Sequence, residues 1–137
     1  MTTFVQSRDA IVTLIHTALQ AQHPTLPVFW ENTLAVNLDT VGTQFLRIEI
    51  DFDDAHQLTI NDAPEHRTYG HVYFTVFVKE GAGSRSALVL FDSLSDLVKF
   101  QAAQRFVFGV PTPGRRDARD GWMSYELRAP FFFDSLG

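Results

Sequence analysis

The segment from Arg67 to Glu80 alternates with a period of two over most of its length. Val72, Phe74, Val76 and Val78 fall on one side; Tyr69, His71, Tyr73, Thr75, Phe77 and Lys79 fall on the other. Successive side chains of an extended chain point to opposite faces, so the pattern predicts a strand with one face on a core. Two further segments repeat it. From Gln44 to Phe52, the residues Leu46, Ile48, Ile50 and Phe52 oppose Phe45, Arg47, Glu49 and Asp51. From Trp122 to Phe133, the residues Met123, Tyr125, Leu127, Ala129, Phe131 and Phe133 read as inward, and Ser124, Glu126 and Arg128 as outward. Pro130 marks a strand end, a bulge or an edge there. Three such strands call for a sheet with one buried face. The second face of the Arg67–Glu80 strand is rich in aromatics and poor in charge, which is not what plain water selects.

Two segments carry the helical period instead. Ile11, Leu14, Ile15, Ala18 and Leu19 form one stripe of a helix expected over Phe4–Gln22. Thr3 and Gln6 have capping-box spacing, and Pro24 ends the helix by pushing His23 out of the α region. Ala87, Leu90, Phe91, Leu94, Leu97 and Val98 form the stripe of a second helix, expected over about Ser84–Phe100 behind a Gly81–Ser84 turn. Ser84 or Ser86 is its expected cap. Between these elements the sequence suggests a short strand at 27–32, a loop at 33–43, an uncertain polar stretch at 53–65 with a short strand near 57–60, a strand at 105–110 and a loop at 111–121. The expected fold is a two-layer α+β sandwich over residues 1–137 as a single domain. Its sheet is mainly antiparallel, or mixed, and both amphipathic helices lie on one face.

Composition narrows the function classes. The chain has 137 residues, 45% of them hydrophobic, as in an ordinary globular domain. It has no cysteine, which excludes a disulfide scaffold, a Cys-based zinc site and a thiol nucleophile, and fits a reducing compartment. The formal charge is −5, which disfavours nucleic acid and anionic membranes as partners. Residues 1–22 lack the features of an export signal, and no apolar run approaches the length needed to cross a bilayer. Phe contributes 13 residues, more than a small core needs, so some are expected at a surface that another protein covers.

Motifs for chemistry are sparse. His16, His23, His56, His66 and His71 form no metal-binding spacing, and His66 and His71 are expected on opposite faces of their strand. Glu49, Asp51, Asp53 and Asp54 form an acidic run, which reads as a solvated strand face in the absence of calcium-loop spacing. The Gly81–Arg85 turn lacks the spacing and the lysine of a phosphate cradle. No nucleophile–base pair stands out, so neither an enzyme nor a bound cofactor or metal is expected. Arg115, Arg116 and Arg119 make the one local basic cluster. They read either as forked donors for carboxylates of a protein partner or as a mobile loop neutralised by Asp117 and Asp120.

In order along the chain stand a leading amphipathic helix, Phe29-Trp30-Glu31-Asn32, Phe45-Leu46-Arg47-Ile48-Glu49-Ile50, the run from Tyr69 to Val98 and the closing stretch Gly121–Phe133. Together they resemble the tail terminator, or tail-completion, proteins of long-tailed phages and a related prophage-encoded family. The resemblance covers nearly all of the chain, and its motifs are structural. It implies an α/β sandwich that assembles into a hexameric ring, monomeric until a tube offers a template. Such a ring caps the tail tube, ends tube growth and meets the head–tail connector protein. It also implies a place in the virion tail, and in the host cytoplasm during assembly. The surface expected to dock comprises Tyr69, Tyr73 and Phe77, with Arg115, Arg116 and Arg119 meeting Glu49 and Asp51 of a neighbouring copy. Three alternatives are another minor tail or neck protein, a small ligand-binding domain or an enzyme that uses a pocket between sheet and helices, and a nucleic-acid binder, which the acidic charge disfavours.

Overall fold

A computed structural model describes residues 4–30, 44–57, 65–79, 81, 84–98, 102–103, 106–119 and 121–136. In chain order the elements are α1 (Phe4–Gln22), β1 (Val28–Trp30), β2 (Gln44–Gln57), β3 (Glu65–Lys79), α2 (Arg85–Val98), β4 (Ala102–Ala103), β5 (Phe106–Phe108), β6 (Thr112–Arg119) and β7 (Trp122–Leu136). Among the described residues the strands form one sheet in the order β1-β2-β3-β7-β5-β4, and β6 also pairs with β7. β1 runs parallel to β2, and every other pairing is antiparallel. The fold is an α+β sandwich with a mixed sheet.

Both helices cover the same face. Ile11, Ile15 and Leu19 of α1 and Ala87, Leu90, Phe91, Leu94, Leu97 and Val98 of α2 are buried against it. The sheet supplies Leu46, Ile48, Val72, Phe74, Val76, Val78, Leu127, Ala129, Phe131 and Phe133. These are the inward positions that the period-two pattern marks, and removing them from water is the main force holding the layers together. At the far end of α1, His23 Nε2 lies 2.7 Å from Ser93 Oγ, which ties the two helices together. Ser84 stands at the N-cap of α2, where its carbonyl accepts from the Leu88 amide at 3.0 Å. Thr3 lies outside the described residues.

Three expectations are corrected. The stretch 111–121 is largely not a loop. Thr112–Arg119 is an edge strand that pairs with Trp122–Arg128, and Gly121, at φ +81°, helps reverse the chain between them. Pro113 and a register shift between Pro113 and Arg116 break the alternation that would have announced it. The second correction concerns 53–57. β2 continues to Gln57 through an irregularity between Phe52 and Asp54. The extra residue opposes Asp54 to Tyr69 and Ala55 to Thr68, so the alanine and not the acid takes the core-side position. In the third, β5 is shorter than expected and is joined by the two-residue β4. The expectations at 31–43, 58–64 and 99–101 fall outside the described residues.

Pro130 sits inside β7, where its partner changes. Ahead of it β7 pairs with β6, and beyond it with β5. The Pro130 carbonyl accepts from the Gly109 amide at 2.8 Å, in the crossing between those two strands. In an antiparallel ladder a residue's N and C=O face the same neighbour. The missing N–H therefore falls in the gap between β5 and β6, where no ladder bond is lost.

Candidate interface on the outer sheet face

The face of the sheet turned away from the helices divides into three zones. At the end near Gln44, Phe45 and Trp122 are buried, with Phe29 and Phe77 packed on them. Phe45 and Phe77, register partners, stack with centroids 4.5 Å apart and planes 8° apart. Phe29 and Trp122 meet the Phe45 ring edge-on at 5.7 and 5.1 Å. Lys79 sits 6.0 Å from the Trp122 ring centroid. Phe77 is thus mostly spent on a second small core.

The middle zone is polar and exposed. Arg47 and Glu49 form an ion pair at 3.0 Å along β2, and Arg128 and Glu126 lie 3.6 Å apart along β7. Between them on β3 stand Tyr73 and Thr75. Register fixes two rows across the sheet, Arg47–Thr75–Glu126 and Glu49–Tyr73–Arg128. One row further, Asp51 opposes His71, whose Nδ1 lies 2.5 Å from Asp53 Oδ2. The His71 ring lies 5.8 Å from Tyr73 with planes 29° apart. Partial burial pushes the Tyr73 phenol above its ordinary pKa, and the negative charges of Asp53 and Asp51 push the same way.

The third zone lies near Leu136. Arg67 holds Asp134 through two bonds of 2.8 and 3.1 Å, and its guanidinium carbon lies 4.2 Å from the Phe132 ring centroid. The bond to Asp134 holds the guanidinium further above its already high pKa. Tyr69, 40% exposed, leans on Phe132 at 6.1 Å.

The structure brings Glu49, Asp51, Tyr69, Tyr73 and Phe77 onto one face, but not the arginines as a cluster. Arg116 is exposed and opposes Tyr125, whereas Arg119 opposes Trp122, so positions 116 and 119 belong to opposite faces of the ladder. Arg115 falls within the register shift. Arg47, Glu126, Arg128 and Phe132 join this face without having been among the expected docking residues. Their outward parity was visible, but the rows they form appear only once three distant strands are in register.

Among the described residues no group of three or more side chains is placed to hold a metal ion. A shallow cleft of about 290 Å³ opens between α1 and β1, lined by His16, Leu19, Gln20, Leu26, Val28 and Trp30. No helix of the described residues is long and apolar enough to cross a membrane.

No family model matches the sequence, and no curated protein matches it. Several solved structures match; one of them superposes with a TM-score of 0.68 over 97% of this chain and 96% of its own length, at 18% identity. A likeness at that identity establishes a shared fold: the layered arrangement described above is one that another solved protein adopts from end to end.

Proposed function

We propose that the protein is a structural component of a phage or prophage tail, which caps the tail tube as a hexameric ring, ends tube growth and joins the tail to the head. Its partners are other copies of itself, the tail tube protein and the head–tail connector. It works by docking and not by catalysis. The observation that carries this reading is the outer sheet face. Tyr73 stands in its central column between Glu49 and Arg128, each ion-paired along its own strand, and Tyr69 stands further along the same column beside Phe132, an arrangement suited to a protein partner. The α+β sandwich also agrees with what the sequence resemblance implies.

Ring closure needs a head-to-tail contact between two different surfaces. β6, with Arg116 exposed, and β2, with Glu49 and Asp51, lie on opposite sides of the pair β3 and β7. Pro113, the register shift and the arginines make β6 a poor template for strand addition. The contact is therefore proposed to run through side chains. Deleting the gene from its phage and imaging the tails tests the reading. Tails of uncontrolled length without heads are expected; infectious particles of normal tail length overturn it.

A second reading, a small ligand-binding domain, takes its support from the cleft between α1 and β1. Its lining mixes the apolar Leu19, Leu26, Val28 and Trp30 with the polar His16 and Gln20, and its volume lies at the small end for small-molecule sites. A thermal-shift screen decides, since a ligand of the folded state raises the melting temperature.

A further inference from the structure

We infer that the outer sheet face is a self-docking surface, on which two copies of this chain pair about a two-fold axis. The inference rests on how four charges are distributed. In one row β2 presents Arg47 and β7 presents Glu126; in the next, β2 presents Glu49 and β7 presents Arg128. The signs therefore alternate both along the strands and across them. Such a pattern is complementary to itself. With a two-fold axis along the strands, Arg47 lies over the partner's Glu126 and Glu49 over the partner's Arg128. With the axis across the strands, Arg47 lies over the partner's Glu49 and Glu126 over the partner's Arg128. In neither arrangement do two of the four charges meet their own sign, which would penalise the contact.

The rest of the face suits the same occupant. Arg47, Glu49 and Arg128 keep about half of their side-chain surface exposed, and Glu126 about a quarter, although each has an ion-pair partner on its own strand. The column between the two pairs is the uncharged Tyr73 and Thr75, with Tyr69 further along. An aromatic centre and a charged rim are the make-up of a protein–protein contact. Four strands spaced about 4.8 Å apart and some ten residues long present roughly 650 Å² per copy, the lower part of the range for specific pairs. Two sheets meeting face to face settle about 10 Å apart with strands about 30° from parallel, within reach of arginine and glutamate side chains. The inference does not depend on the tail reading. Were both to hold, the pair would cover Glu49 and so exclude the head-to-tail contact until it separated.

Sedimentation equilibrium of the purified chain, with circular dichroism to check the fold, tests it. The wild type is expected to dimerise, more weakly as salt rises. Arg47→Glu is expected to raise the dissociation constant at least about tenfold, because it sets like charges together twice per pair. Arg47→Glu with Glu126→Arg restores the dimer if the axis runs along the strands. Arg47→Glu with Glu49→Arg restores it if the axis runs across them. Restoration by one of the two supports the inference and assigns the axis. A wild type still monomeric at about 0.5 mM, an Arg47→Glu protein that dimerises unchanged, or a loss that neither double variant repairs overturns it. A dimer in solution beside normal tails from the gene deletion would uphold this surface while removing the terminator function.

Discussion

The ring of Phe131 on β7 lies against the bare backbone of Gly70 on β3. A Cβ at Gly70 would stand 2.6 Å from that ring and closer still to the Asp51 carbonyl oxygen on the other side. The two residues are register partners, and Phe52 opposes Gly70 from β2, with its ring 5.9 Å from that of Phe131. Glycine is needed here for closeness of approach. Gly70→Ala is expected to cost at least about 2 kcal/mol, the range of overpacked cores, read as a lower urea midpoint with unchanged slope. An unchanged midpoint would show that Phe131 can turn aside at no cost.

Ser7 is fully buried on α1, and its hydroxyl has no hydrogen-bond partner among the described residues. A desolvated hydroxyl without a partner costs about 1–3 kcal/mol, and alanine is also the better helix former. Ser7→Ala is expected to stabilise the protein by about 1 kcal/mol in chemical denaturation. A loss of stability would mean that the hydroxyl makes a bond in solution.

The aromatics of the outer face should separate into two kinds. Phe45 is 3% exposed and touches three other rings, so Phe45→Ala is expected to cost about 3 kcal/mol. Tyr69→Ser, at an exposed position, is expected to cost under about 1 kcal/mol while weakening self-association. Denaturation and sedimentation on the same two variants check this; equal stability losses would reject the division.

Tyr73 links the face to pH. Its phenol titrates higher in the folded state than in the unfolded one, so the folded state holds the proton more tightly. That contribution is complete below the unfolded value of about 10 and is lost as pH rises beyond it. The stability difference between wild type and Tyr73→Phe is expected to shift against the wild type above about pH 10 and to be flat between pH 7 and 9. A flat difference throughout would remove the burial and the aspartates as influences on the phenol.

What could be read in the sequence follows from which forces are local. The stripe Ile11–Ile15–Leu19 and the alternation of Val72–Val78 report burial directly, and both gave the right faces. β6 stayed hidden because its strand state is imposed by β7 and not by its own prolines, glycine and charges. The continuation of β2 stayed hidden because one added residue near Asp53 inverts the alternation after Phe52. The same irregularity conceals the close pair His71–Asp53 on the outer face. For the interface, Tyr69 and Tyr73 stood out as aromatics on the wrong side of a strand. The rows containing Arg47 and Arg128 needed the register of three strands that are distant in sequence.

β7 is the final strand in chain order, yet it lies beside β3 in the middle of the sheet. On the ribosome, β3 therefore emerges beside β2 with its other flank uncovered, and it waits through the synthesis of α2 and three short strands before its second neighbour exists. Throughout that interval a valine-rich ribbon is available to any other nascent chain. Overproduction at high temperature should accordingly favour inclusion bodies, and slowing translation should recover native protein.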